Sequence, residues 1–332
     1  MDLSLTQTTL TVLVGLALAF DFLNGFHDAA NSIATVVSTG VLRPYQAVAW
    51  AAFFNFVAFA IFKLDVAATV GTGILAPAVV DAHIIWSALA GAILWGLITW
   101  YYGLPTSSSH ALIGGMMGAG ISKAGTAALI PAGIWKTVAF IVISPVLGLL
   151  LGGLLMVAVS WLCFHRSPYV VDQWFRRLQL LSSALYSIGH GSNDAQKTMG
   201  LIWLMLISAG ATSRDHLPIW VVVSCYTAMA LGTLFGGWRI VRTMGQRITK
   251  LKPVGGFAAE TGGALTLFLA SSLGVPVSTT HTITGAIVGV GSTQRVSAVR
   301  WGVAGNIVVA WLITIPATAL VAATTWWLAS LA

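Results

Sequence analysis

Hydrophobic residues dominate this chain in blocks rather than in a strand-like or helical alternation. No Asp, Glu, Lys or Arg occurs from Ala82 to Ser122, from Thr137 to His165, from Leu217 to Trp238, from Thr261 to Gln294, or from Trp301 to the end. A membrane-crossing helix needs about 20 apolar residues, and each block is long enough. The blocks predict spans near 5–33, 44–63, 83–102, 131–163, 180–203 and 217–238, with further spans towards the C-terminus. A transmembrane β-barrel would instead alternate apolar and polar positions over segments of about ten residues. The fold class is therefore an all-α polytopic membrane protein. The first block, TLTVLVGLALAFDFL, lacks a basic leader and a small-residue cleavage site, and reads as a retained span rather than a signal peptide.

Composition agrees with the blocks. Of 332 residues, 57% are hydrophobic and 8% charged, against about 25% charged in an average soluble domain. The net charge of +7 sits in loops: Arg239, Arg242, Arg247, Lys250 and Lys252 in one, Arg166, Arg176 and Arg177 in another. The positive-inside rule makes both loops cytoplasmic; nucleic-acid binding is not indicated. VVDQWFRRLQLL, in the middle loop, either lies along the membrane surface or is a plain connector. Two cysteines, Cys163 and Cys225, lie in apolar context and suggest neither a disulfide nor a metal site.

The chain is written twice. NGFHDAANS (24–32) matches HGSNDAQKT (190–198): with Asp28 on Asp194, Gly25 falls on Gly191 and Ser32 on Thr198. GLPTSSSHALIGG (103–115) matches GVPVSTTHTITGA (274–286), with Pro105 on Pro276 and His110 on His281. The order is the same in both halves, so duplication is expected, with an N-terminal repeat over 1–164, a short cytoplasmic linker over 165–177, and a C-terminal repeat over 178–332. Duplicated halves with interrupted hydrophobic segments are the mark of a secondary transporter, whose substrate site lies between the repeats. Breaks are expected at Gly25, at Gly189 and Gly191, and at each Gly-x-Pro. An even count of spans per half would make the repeats parallel. An odd count, through a crossing near 105–121 or a break near Pro145, would invert them.

The hydroxyl motifs open short helical segments. Unpaired N–H groups, the positive end of the helix dipole and hydroxyl donors together hold an anion without a full cation. Ser107, Ser108, Ser109, Ser278, Thr279 and Thr280 are the candidate anion ligands. GGMMG and GAIVG just downstream have the small-residue spacing of close helix packing. Asp28, Asp194 and Glu260 are carboxylates in apolar segments, which by default are functional. With Asn31 and Asn193 they could form a hard-cation or proton site. Asp21 is expected to cap the break, and Lys197 to neutralise Asp194. His27, His110, His190 and His281 lie in the duplicated motifs; a His–Asp pair binds a transition metal or carries a proton.

At these residues the chain resembles the inorganic phosphate transporter (PiT) family. NGFHDAANSIAT, GLPTSSSHALIGG, HGSNDAQKTMG and GVPVSTTHTITG carry the resemblance, in order, over nearly the whole chain. It implies inverted repeats, a phosphate site between them on the six hydroxyl residues, cation-linked acids at Asp28, Asp194 and Glu260, and a homodimer. Symport would be driven by protons or sodium, without a bound cofactor. His27, where many relatives carry Asn, resembles the bacterial branch that moves neutral metal–phosphate complexes. The alternatives are a sulfate permease of the same family and a divalent-metal transporter. Neither a GxSxG elbow nor a GxSG-like turn is present, so an intramembrane hydrolase is not expected. A compact chain without a targeting segment suggests a bacterial inner membrane.

Overall fold

The computed structural model describes residues 6–331, and helices account for nearly all of it. In chain order these are α1 (Gln7–Ser38), α2 (Pro44–Val57), α3 (Asp65–Gly73), α4 (Ala82–Tyr102), α5 (Ser108–Ala124) and α6 (Pro131–Leu162). Then follow α7 (Pro168–Ser208), α8 (Ile219–Phe235), α9 (Trp238–Arg242), α10 (Pro253–Ser272), α11 (Thr279–Gln294) and α12 (Trp301–Leu331). Four helices, α1, α4, α6 and α12, are individually long and apolar enough to cross a membrane. The count rises to six if two bent pairs each form one span: α2 with α3, bent by 80°, and α8 with α9 and its π-helical extension, bent by 62°. The apolar exterior falls largely on α4, α6 and α12, where Leu94, Leu154, Leu312 and Leu320 face outward. The chain is an integral membrane protein.

The element order recurs. A long helix, a bent pair, an apolar helix, a serine-capped helix and a long helix with an internal proline (Pro145, then Pro316) appear in each half. The last helix of each half packs on the other half's capped helix: α6 on α11 and α12 on α5. GGMMG and GAIVG make those contacts. A β-carbon on Gly118 would lie 2.1 Å from the Ala319 carbonyl oxygen, and one on Gly289 2.1 Å from that of Leu149.

Several expectations change. α1 and α7 run unbroken through Gly25, Gly189 and Gly191. Two of these glycines serve close helix crossing instead: a β-carbon on Gly25 would sit 2.1 Å from the Met229 oxygen of α8, and one on Gly191 2.4 Å from the Asn55 oxygen of α2. With no break, Asp21 has nothing to cap. α6 passes through Pro145 without interruption, while the 105–121 stretch does form a helix, α5. The Gly-x-Pro turns hold as helix ends. Gly103 and Gly274 adopt φ of 67° and 61°, the left-handed conformation that closes a helix and that side chains resist. Each proline then lies two residues before the next helix's cap, rather than in its first turn. The VVDQWFRRLQLL stretch belongs to α7, which starts at Pro168 inside the expected linker. The two basic loops do meet at one end of the molecule, where Arg166, Arg176 and Lys252 line one crevice.

If Gly25 is there for contact, Gly25→Ala should lower the melting temperature in detergent, because backbone cannot yield cheaply; overpacking costs about 1–3 kcal/mol. Gly15→Ala, on the same helix with nothing within 4 Å, should not. Equal melting of the two variants would contradict the packing role.

Candidate functional site

Ser107 and Ser278 are the N-caps of α5 and α11. Their hydroxyls accept from the His110 amide at 3.2 Å and the His281 amide at 3.1 Å, an arrangement that stabilises a helix start by about 1 kcal/mol. The two starts meet. Ser109 Oγ donates to the carbonyl of Val277 at 3.1 Å, and Thr280 Oγ1 donates to that of Thr106 at 3.2 Å. Each helix thus closes on the segment entering the other, and the His110 and His281 rings lie 4.7 Å apart between centroids. The amides of Ser108, Ser109, Thr279 and Thr280 have no acceptor among the described residues. Two positive helix ends with uncommitted N–H groups therefore face one small region.

The duplicated acids close that region. Ser108 Oγ donates to Asp28 Oδ2 at 2.8 Å, and Thr279 Oγ1 donates to Asp194 Oδ2 at 2.9 Å. His27 Nδ1 lies 2.8 Å from Asp28 Oδ1, and its Nε2 lies 3.2 Å from Thr99 Oγ1. His190 Nε2 lies 3.2 Å from Asp194 Oδ2. Oxygens of Asp28 and Asp194 and a ring nitrogen of His190 fall within 4.8 Å of one another, so the paired acids converge across the halves. Asn31 Nδ2 donates to Thr279 Oγ1 at 3.1 Å and to Thr280 Oγ1 at 2.9 Å, while its Oδ1 is buried without a partner among the described residues. Lys197 Nζ reaches Asp194 Oδ1 at 2.5 Å, the carbonyl of Val277 at 2.6 Å, and Ser109 Oγ. Apart from Ser108, which is partly exposed, these side chains are buried. The adjoining crevice, lined by His27, Ser107 and Ser108 among aromatic side chains, has a volume of about 30 Å³. That is room for little more than water.

Other sequence candidates lie elsewhere. Asn193 does not reach the acids: its amide nitrogen donates to Ser271 Oγ at 3.3 Å and to Val275 O at 3.1 Å, and its oxygen accepts from the Val277 amide at 3.1 Å. It clamps the turn before α11. Glu260 forms a separate buried group, accepting from Thr35 at 2.6 Å, Gln179 at 2.9 Å and Ser182 at 2.5 Å. The His281 ring stacks on Trp311 at 3.7 Å, with neither ring nitrogen hydrogen-bonded to a described residue. Several participants escaped sequence reasoning. Thr99 carries no motif signal, and Thr106, though inside GLPTSSSHALIGG, falls on Val277 in the second motif, so the duplication does not mark it. Asp21, which accepts from Thr198 Oγ1 at 2.9 Å and leaves its other oxygen unpartnered, lies two turns before Asp28, a spacing that could have flagged it.

Comparison with known proteins agrees with this geometry. The model of the phosphate transporter family matches residues 24–322. A probable low-affinity inorganic phosphate transporter of Rhizobium meliloti is 59% identical over all of this chain and 99% of its own. One of Bacillus subtilis is 45% identical over 97% of each. A solved structure described as the sodium-dependent phosphate transporter superposes with a TM-score of 0.89 at 28% identity, covering 98% of this chain and 99% of that one. The chain belongs to the phosphate transporter family. Family and relatives are transporters, not enzymes, and phosphate is the family's substrate.

Asn193→Ala should destabilise the protein by about 1–3 kcal/mol, since it strands the buried Val277 amide. Thermal melting should show the loss equally in sodium and choline salts. A loss confined to one salt would return Asn193 to the cation ligands.

Proposed function

We propose that this protein imports inorganic phosphate by symport with a proton or sodium ion, using alternating access between two inverted halves, 1–164 and 178–332. The observation that carries the reading is the meeting of two serine-capped helix starts beside two buried carboxylates. Phosphate would sit between the starts, held by the free amides of Ser108, Ser109, Thr279 and Thr280 and by hydroxyls from Ser107 to Ser109 and Ser278 to Thr280. Dipoles and neutral donors bind it without burying further full charges, which are costly at membrane depth.

The hydroxyls supply the coupling. Ser108 and Thr279 give their protons to Asp28 and Asp194, so neither is free for an anion while those carboxylates hold them. A proton or cation arriving at Asp28, with Asn31 Oδ1 beside it, removes the competing acceptor and releases the Ser108 hydroxyl to the phosphate. Cation and anion thus bind better together than apart, which is the thermodynamic requirement of symport. Glu260, held by donors alone, is a second carboxylate that a proton or cation would neutralise. The halves then rock around the loaded site. A homodimer in a bacterial inner membrane completes the proposal, with the basic loops on the cytoplasmic side.

A second reading draws on the convergence of Asp28, His190 and Asp194. Carboxylate and imidazole suit a divalent metal, which would enter as cargo with phosphate as a neutral complex. Sulfate is disfavoured, because an ionised Asp194 accepts a hydrogen bond from P–OH that sulfate cannot offer.

Radiolabelled phosphate uptake into proteoliposomes, with sodium and proton gradients imposed separately, tests this. Uptake driven by one gradient, indifferent to excess sulfate, is expected. Strong competition by sulfate, or uptake driven by neither gradient, would contradict it. Adding magnesium or manganese separates the second reading: a requirement for metal would favour it. Ser108→Ala combined with Thr279→Ala should raise the half-saturation concentration roughly tenfold or more, since a lost hydrogen bond to a charged group costs about 1.5–3 kcal/mol. An unchanged value would reduce those motifs to helix packing.

A further inference from the structure

Superposing the motifs of the two halves on Asp28 and Asp194 brings Asn31 onto Lys197, and on the prolines it brings Ser108 onto Thr279 and Ser109 onto Thr280. The hydrogen bonds obey the same correspondence. Ser108 binds Asp28 as Thr279 binds Asp194. Ser109 closes on Val277 as Thr280 closes on Thr106. Asn31 donates to Thr280 as Lys197 donates to Ser109. The pattern breaks where the charge lies: three residues after its carboxylate the first half places a neutral amide, which donates to Thr279 and Thr280 while its oxygen is buried without a partner among the described residues. The second half places an ammonium there.

We propose that Lys197 is a tethered cation, permanently filling the second of two repeat-related cation positions, so that only the position at Asp28 and Asn31 takes a mobile ion. This rests on the symport reading above. The surroundings of Nζ are those of a hard cation: a carboxylate oxygen of Asp194, the hydroxyl of Ser109 and the carbonyl of Val277, all oxygen donors of the kind that alkali and alkaline-earth ions select. Those three contacts also use every N–H an ammonium has. None is left to hold phosphate, so Lys197 is not a direct substrate ligand. Its side chain is 3% exposed and that of Asp194 fully buried, so no water replaces these partners.

The consequence is functional. A mobile ion at this position would have to bind and leave in each cycle, and its gradient would add to the driving force. A tethered ammonium supplies the same charge against Asp194 and the same scaffold for Ser109 and the α11 entry, yet never dissociates. Its contacts with Ser109 of α5 and with the Val277 carbonyl before α11 place the positive charge at the meeting point of those two helices. The transporter runs with one mobile cation fewer than its fold has positions for, which lowers the gradient it can build.

The test borrows the residue from the other half. Lys197→Asn should turn the second position into a copy of the first. In purified protein, sodium chloride should then raise the melting temperature of Lys197→Asn relative to choline chloride, more than it does for the wild type. Radiolabelled phosphate binding by the variant should be weakened in choline and recovered by sodium on the order of tenfold, the scale of ordinary coupling between sites. Lys197→Met, with neither charge nor oxygen, should bind phosphate poorly in both salts. The proposal is overturned if Lys197→Asn melts and binds with the wild type's salt dependence, or if its lost phosphate binding does not respond to sodium in protein that still melts cooperatively. If the Asn variant does not fold, Lys197→Gln carries the same comparison, and failure of both in sodium as in choline also counts against a replaceable cation. Should the wild type bind no phosphate at all, the symport reading fails, while the melting comparison still decides whether an ion can take the ammonium's place.

Discussion

The structure turns on a hydrogen bond made twice, between a buried aspartate of a long helix and the first hydroxyl of a capped helix. Asp28 holds Ser108 and Asp194 holds Thr279. Each bond joins a long helix of one half to the start of the capped helix in the same half. The caps then cross over to the other half through Ser109 and Thr280. An isolated carboxylate is expensive inside a membrane protein, and so is an isolated anion. Putting both in one place requires a positive charge to accompany them, and in the proposed function that requirement links ion to substrate.

Everything around the site serves to bring these groups together and keep water out. α6 packs on α11 and α12 on α5, and glycines at each crossing let the backbones touch. The long α1 and α7 pass through the molecule without a break, because Gly25 and Gly191 accept the carbonyls of α8 and α2 rather than interrupting a helix. The acids are therefore presented from continuous helices, while the hydroxyls come from helix starts that follow Gly-x-Pro turns.

Much of this was legible in the sequence, for identifiable reasons. Charge-free blocks disclosed the membrane helices, and two repeated motifs disclosed the residues that meet at the centre, since only a duplicated site explains the same hydroxyls and acids in the same order. Helix continuity was not legible at Gly25, Gly189 or Gly191. A glycine that breaks a helix and one that admits a neighbour's carbonyl look the same along the chain, and only the partner 2.1 Å from a would-be β-carbon distinguishes them at Gly25. Asn193 sits beside Asp194 in sequence, yet successive residues on a helix point about 100° apart, so it faces the turn before α11 and not the acids. Thr99 is a single polar residue in an apolar helix, with no pattern to separate it from ordinary packing residues, while Thr106 and Thr35 stand inside the motifs but fall on Val277 and Leu201 in the other half, so the duplication does not mark them. Lys197 was visible as a neighbour of Asp194, but its enclosure by oxygens required the fold.

Phosphate binding to Asp28→Asn, measured against the concentration of the coupling ion, bears most directly on the coupling role of the aspartate–hydroxyl pair. With no carboxylate for an ion to neutralise, Ser108 should face the same neutral partner at all times, so the variant should bind phosphate with an affinity independent of the coupling ion and fail to accumulate it against a gradient. Binding that keeps the wild type's ion dependence, or uphill uptake that persists, would show that the ion acts elsewhere and that the bond between Asp28 and Ser108 does not couple the two.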